Sequence, residues 1–238
     1  MARGMLIVVE GIDGAGKRTQ INLLGGALAA RSIPCETISF PVYPTFFGRL
    51  IERYLSGEFG PLDQVDPHFS AMLFAGDRLK QKGRLLTALE EGKTVLADRY
   101  VASNLAHQGA RVPPAERGVF LDWLRKLEYG AYELPVEDLV LYLRIEPDEA
   151  QARMLLRRAG DGSGDLHESD LKHLTTAAAL YDELARGEHW ITIDCVETAS
   201  GQPRTPEELH ALMMAAVDVR LARFRAMQAL GAVGPGTQ

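Results

Sequence analysis

Residues Met5 to Gln20 run from an apolar strand, through a glycine loop bearing a lysine, into a helix. This run constrains the fold more than any other stretch. Met5-Leu6-Ile7-Val8-Val9 has the near-continuous apolar character of a strand buried on both faces, as in a parallel sheet covered by helices. Gly11-Ile12-Asp13-Gly14-Ala15-Gly16-Lys17 then matches the first seven positions of the phosphate-binding pattern G-x-x-x-x-G-K-[ST]. Glycines let the backbone curl so that successive N–H groups point inward, and the next helix adds its positive N-terminus. Such a concavity suits polyphosphate, and Lys17 can reach the outer phosphates as a point charge. Candidate ATP-binding residues are therefore Gly11, Ile12, Asp13, Gly14, Ala15, Gly16, Lys17, Arg18 and Thr19. Arg18 stands where Ser or Thr would offer magnesium a hydroxyl. Thr19 lies about 100° further round the helix, so it cannot simply substitute.

The chain's 238 residues suffice for one large α/β domain. A net charge of -6 argues against a general nucleic-acid or anionic-membrane surface, though not against a local cationic pocket. Cys35 and Cys195 have no metal-ligand spacing and make no disulfide framework, so free thiols in a reducing cytosol are expected. No stretch approaches the ~20 apolar residues of a membrane helix, and the N-terminus lacks a secretory pattern. A cytoplasmic protein is expected.

Strand-like runs recur at Met5–Val9, Glu36–Phe40, Thr94–Ala97, Leu139–Leu143 and Trp190–Ile193, separated by longer helical patterns. That alternation predicts an α/β architecture with a central five-stranded parallel sheet and helices on both faces. Helices are expected at Lys17–Arg31, Gly48–Leu55, Pro67–Glu91, Pro114–Tyr129, Pro147–Arg158, Leu171–Arg186 and Pro206–Met227. Proline suits a first helical position, and Gly92 and Gly187 suit helix ends. There is no internal repeat or linker, so residues 1–230 are expected to form one domain. A glycine-rich segment at Gly160–Asp165 interrupts it, and residues 231–238 read as a frayed tail.

Asp98-Arg99-Tyr100 follows the third strand, at the edge where open α/β sheets bind ligands. Asp98 could hold magnesium through water, and Arg99 could pair bidentately with a phosphate.

With these pieces on view the chain resembles the thymidylate kinases over most of its length. The resemblance is carried by Glu10 to Lys17, Phe40-Pro41, Leu73-Phe74-Ala75-Gly76-Asp77-Arg78 and Asp98-Arg99-Tyr100. Ser103-Asn104, Gln108-Gly109 and Asp165-Leu166-His167-Glu168 add to it. It implies a three-layer P-loop NTPase fold of the nucleoside-monophosphate-kinase type. It implies phosphorylation of dTMP to dTDP with ATP and magnesium, and usually a homodimer. By the same resemblance Phe74 stacks on thymine, Arg78 reads a thymine carbonyl and Asn104 contacts the base. Asp13 lies near the sugar and the transferring phosphate, while Tyr43 and Arg99 approach the acceptor phosphate. Phe40 and Pro41 form pocket wall, and Gln108 and Glu168 complete the substrate-binding set. Asp13 and Asp98 are the candidate metal ligands, directly or through water, with Glu168 also open to that role. His107 replaces an aromatic that crowds a ribose 2′-hydroxyl in many relatives, and a packing role is also open to it.

Phosphoryl transfer asks the protein mainly for positioning and charge neutralisation. The candidate catalytic residues are Asp13, Lys17, Arg99, Arg153 and Arg157. Arg153, Arg157 and Arg158 precede the glycine segment, where some thymidylate kinases carry a basic lid, here around 153–168. A solvated helix face competes with that reading. Another deoxynucleoside or nucleotide kinase is the nearest alternative. A non-catalytic ATP-binding regulator, favoured mainly by Arg18, is a second.

Overall fold

In a computed structural model the chain is described over residues 3–61, 64–161, 171–197 and 200–232, without the side chains of 157–161 and 229–232. Five strands, β1 (Leu6–Glu10), β2 (Cys35–Ser39), β3 (Thr94–Asp98), β4 (Leu139–Arg144) and β5 (Trp190–Asp194), form one sheet. The order is β2-β3-β1-β4-β5. Every pairing is parallel. The first strand is central because its side chains are apolar on both faces, and all five of its residues are buried.

Period-two alternation divides the strand between two cores. Met5, Ile7 and Val9 face a cluster with Leu24 and Leu28 of α1 (Lys17–Ala30), Leu174 of α7 (Leu171–Leu184) and Met213 of α8 (Pro206–Ala232). Leu6 and Val8 face the other side, with Leu85 of α3 (Pro67–Glu90), Val101 of α4 (Val101–Gly109) and Phe120 of α5 (Pro114–Arg125). Each fully buried side chain of this size contributes about 1.5–3 kcal/mol. A smaller cluster of Ile51, Tyr54, Val65 and Leu73 joins α2 (Phe46–Leu55) to α3.

Helix α2 starts two residues before the expected Gly48, because Thr45 caps it by accepting from the Gly48 N–H at 2.9 Å. Asp66 caps α3 through the His68 N–H at 2.6 Å, with Pro67 following. Two expectations need correction. The helix expected to reach Tyr129 leaves α geometry after Arg125 and continues as a π-helical turn, Lys126–Ala131. Helix α4 was not expected at all. Eight of its nine residues are buried and its N-cap makes no side-chain hydrogen bond, so no cap marks the start of this short helix in sequence. Helix α6 (Pro147–Asp161) extends beyond the expected Arg158. Residues 162–170, with His167, Glu168, the later part of the expected lid and most of the glycine segment, lie outside the described residues, as does the tail from 233.

Candidate functional site

The C-terminal ends of β1, β2 and β3 stand in register at one sheet edge, with Val9 opposite Asp98 and Ser39 opposite Asp98. The loop Gly11–Gly16 leaves this edge and enters α1. Gly11 has φ 142° and Gly14 φ 86°, both in the region that L side chains rarely adopt. A Cβ on Gly14 would also sit 2.5 Å from the Ala150 carbonyl oxygen of α6. Close backbone approach is thus what glycine provides here. Lys17 lies under the loop, 7% exposed, and its Nζ donates to the Gly11 and Ile12 carbonyls at 2.9 Å each. Burial, helped by the Arg99 cation, brings its pKa down to about 8.

Gly14, Gly16, Lys17, Arg18, Thr19, Asp98, Arg99 and Arg153 line a cavity of about 580 Å³ around this cradle. A second cavity of about 410 Å³ opens on the other side of Arg99. Asp13, Phe40, Pro41, Tyr43, Phe74, Arg78, Asn104, His107 and Gln108 line it. Arg18, Asp98 and Arg99 border both.

Arg99 is the hinge between them. Its φ of 68° turns the chain sharply out of β3. Nη2 donates to Asp13 Oδ1, and Nη1 donates to Ser103 Oγ at 3.2 Å. Burial opposes the charge on Arg99, but Asp13 and neighbouring carboxylates outweigh it and raise the pKa. Nη1 also lies 3.4 Å from His107 Nε2, and the His107 ring stacks on His173 with centroids 5.6 Å apart. His107 therefore combines packing with a place in the cleft.

In the second cavity, Phe40 is 4% exposed and belongs to the core, whereas Phe74 is half-buried and meets Tyr54 edge-on at 6.2 Å. Arg78 is 2% exposed and forms a two-point ion pair with Glu128 at 2.5 and 2.6 Å. Burial disfavours its charge, and Glu128 overcomes that effect to raise its pKa. Asn104 donates to Glu128 and to the Ala71 carbonyl, while its buried Oδ1 has no partner among the described residues. Gln108 is oriented by Ser70 and Arg111, which both donate to its Oε1.

A family model for thymidylate kinase matches residues 9–200. This chain belongs to the thymidylate kinase family. It is 36% identical over 151 residues to thymidylate kinase of Homo sapiens, covering 63% of this chain and 66% of that one. It is 32% identical over 195 residues to the Mycobacterium tuberculosis (strain H37Rv) thymidylate kinase, covering 79% and 91%. A probable thymidylate kinase of Pyrobaculum aerophilum is 33% identical over 221 residues, 92% of this chain and 98% of that one. A solved thymidylate kinase from Candida albicans superimposes with a TM-score of 0.72 at 20% identity, covering 92% and 93% of the two chains, which establishes the shared fold. As a thymidylate kinase by family, the chain is a nucleotide-binding phosphotransferase with ATP as co-substrate.

For this thymidylate kinase, the expected site residues Asp13, Lys17, Tyr43, Phe74, Arg78, Arg99, Asn104, His107 and Gln108 all reach one or both cavities. Arg153 lines the cradle and is paired with Glu149 one turn earlier. The side chain of Arg157, and all of Glu168, lie outside the described residues. Sequence reasoning missed two buried carboxylates. Glu10 accepts from the Tyr100 and Ser103 N–H groups at 2.8 and 3.1 Å, and from the Ser103 and Tyr181 hydroxyls at 2.6 and 2.9 Å. It ties β1 to α4 and α7 behind Arg99. Glu128 is the other; Glu10 stood in the motif that carries the resemblance but was given no role, and Glu128 showed only as a carboxylate beside apolar residues.

Proposed function

We propose that this chain transfers the γ-phosphoryl group of ATP to the 5′-phosphate of dTMP, yielding ADP and dTDP. The observation that carries the reading is the shared border of the two cavities, Arg18, Asp98 and Arg99. A polyphosphate in the cradle and a monophosphate in the cleft would meet there. Effective positioning of two reactants replaces much of the entropic barrier to a bimolecular step.

On this reading Lys17 and the loop N–H groups hold the β- and γ-phosphates of ATP. Arg99 aligns the acceptor phosphate, whose oxygen is already ionised near neutral pH, so no strong general base is needed. Asp13 orients Arg99 through their ion pair, and Arg153 reaches over the cradle to neutralise developing charge. Arg157, one turn further along α6, is assigned the same role. Arg18 borders both cavities and adds positive charge where the phosphoryl group crosses. Phe74 and Phe40-Pro41 enclose the base, Tyr43 approaches the acceptor phosphate beside Arg99, and Gln108 and Glu168 complete the acceptor set.

The residues fit magnesium. Asp98 Oδ1 is buried without a partner among the described residues, an unfilled acceptor beside the cradle. No three His, Cys, Asp or Glu side chains cluster as a metal cage among the described residues. Magnesium needs only one or two carboxylates, completing its shell with water and phosphate oxygens. Asp98 would hold it directly or through water, with Asp13 second because Arg99 already engages its Oδ1. Bound there, it would neutralise charge on the phosphate oxygens.

Residues 1–230 act as one domain in this reading, in the cytosol. Phe69, Met72 and Leu79, exposed by 43, 44 and 39% at spacings of three and seven along α3, support a homodimer through that face. Among the described residues no helix is long and apolar enough to cross a membrane. The test is an assay of purified protein with ATP, magnesium and dTMP, dUMP, dCMP or thymidine, with products separated by chromatography. Production of dTDP supports the proposal. Turnover of thymidine alone would replace it with a nucleoside kinase, and light scattering checks the dimer.

A further inference from the structure

Glu128 stands behind the wall of the acceptor cleft, in the π-helical turn, with its side chain fully buried. Oε2 accepts from Arg78 Nε at 2.5 Å. Oε1 accepts from Arg78 Nη2 at 2.6 Å and from Asn104 Nδ2 at 2.8 Å. The Ala71 carbonyl takes the second Nδ2 hydrogen at 3.0 Å. One carboxylate therefore holds both Arg78 and Asn104, which line the cleft.

An ionised carboxylate only accepts, so each neighbour must turn donors towards it. Arg78 uses its Nε and Nη2 edge, which leaves Nη1 and the second Nη2 hydrogen as available donors, with no acceptor among the described residues. Asn104 uses both Nδ2 hydrogens, which leaves Oδ1 as the acceptor, buried and unpartnered among the described residues. The wall then carries oriented donors beside one oriented acceptor. Thymine and uracil offer the complement, with O4 to receive and N3–H to give. Cytosine offers the reverse, an amino group at C4 and a bare N3. It would set donor against donor and acceptor against acceptor at two buried side chains, where unmatched polar groups are most costly.

We propose that Glu128 is the positioning residue for base selection. It sets the polarity of the Arg78–Asn104 pair so that the cleft accepts 4-oxo pyrimidines and rejects 4-amino pyrimidines. The inference rests on the dTMP reading above and assigns the origin of its selectivity. Glutamine at this position keeps the shape but carries an NH2 at one end. Either orientation sets that NH2 against a donor, Arg78 Nε in one and both Arg78 Nη2 and Asn104 Nδ2 in the other. The Arg78–Asn104 pair then loses the fixed polarity that one carboxylate imposes.

The test compares kcat/KM for dTMP and dCMP in the full chain and in Glu128→Gln, both substrates measured on the same preparation. The expected result is a dTMP-to-dCMP ratio lowered by about tenfold or more, mainly through the loss with dTMP. Partial unfolding lowers both rates together and leaves the ratio unchanged, so the ratio reports positioning. If Glu128→Gln does not fold, Glu128→Asp keeps the charge beside Arg78 but is too short to hold both partners. It should lower the same ratio to a smaller degree. An unchanged ratio in a folded variant overturns the inference and leaves the kinase reading standing. Wild-type turnover of dCMP as fast as dTMP also overturns it. Wild-type protein that phosphorylates no pyrimidine monophosphate instead overturns the kinase reading, and the inference with it.

Discussion

Nζ of Lys17 donates to the Gly11 carbonyl at 2.9 Å, so the cation of the loop is held by the loop's own backbone. Its pKa is down at about 8, first through burial and then through Arg99. The lysine is charged below that pH and neutral above it. Affinity for ATP should therefore fall as pH rises through about 8, with a limiting slope of about tenfold per pH unit. The stability contribution runs the other way. Between about 8 and the ordinary 10.5 the unfolded chain binds more protons, so stability rises with pH in that window. Titration calorimetry with ATP from neutral to alkaline pH checks the first effect. Lys17→Ala should bind weakly and lack the inflection.

Arg99→Lys should lower kcat/KM for dTMP by about 100-fold or more, since lysine cannot reach Asp13 and a phosphate with one planar fork. Lysine and arginine meet a φ of 68° with equal difficulty, so the backbone gives no reason for unfolding. Steady-state kinetics beside a thermal melt separates the two effects. A rate within a few-fold of wild type would remove Arg99 from the proposed mechanism.

Glu10→Ala should destabilise the protein by about 3 kcal/mol or more. It strands the Tyr100 and Ser103 N–H groups and one of the two hydroxyls, since Ser103 Oγ and Tyr181 OH, 3.0 Å apart, can satisfy only one donor between them, at a site with no exposure. Urea denaturation gives the change from the midpoint and slope. A loss below about 1 kcal/mol would mean that water replaces the carboxylate there.

Glu137 predicts a stability slope near neutrality. Burial pushes its pKa up to about 7 from the ordinary 4.5, although the single Tyr129 hydroxyl hydrogen is shared between its two oxygens, each 2.9 Å away. The folded chain then binds more protons than the unfolded one between about 4.5 and 7. Its contribution is full at the acid side of that window and is lost as pH rises through about 7. Glu137→Gln should flatten this part of the pH dependence. Thermal midpoints measured across the window for both proteins decide it.

The first strand, the glycine loop and Lys17 were legible because each is local: an apolar run, backbone turns only glycine enters, and a charge at fixed spacing. Asp98-Arg99 was legible for a related reason, since a strand's end predicts where its next residues emerge. Helix α4 was not, although it carries Ser103, Asn104, His107 and Gln108. Its polar residues do recur at helical spacing, but only over nine residues and with no N-cap side-chain hydrogen bond to mark a start. The pitch change after Arg125 likewise left no mark in composition.

The sequence alone therefore determined the sheet, its helical layers and the identity of the cradle, because strand period, helix period and turn chemistry act over a few residues. Tertiary structure decided the rest. Glu128 meets Arg78 across 50 positions and Glu10 meets Tyr181 across 171. Such partners are chosen by which buried donors lack an acceptor once the core has closed, a condition that does not exist until the chain has folded.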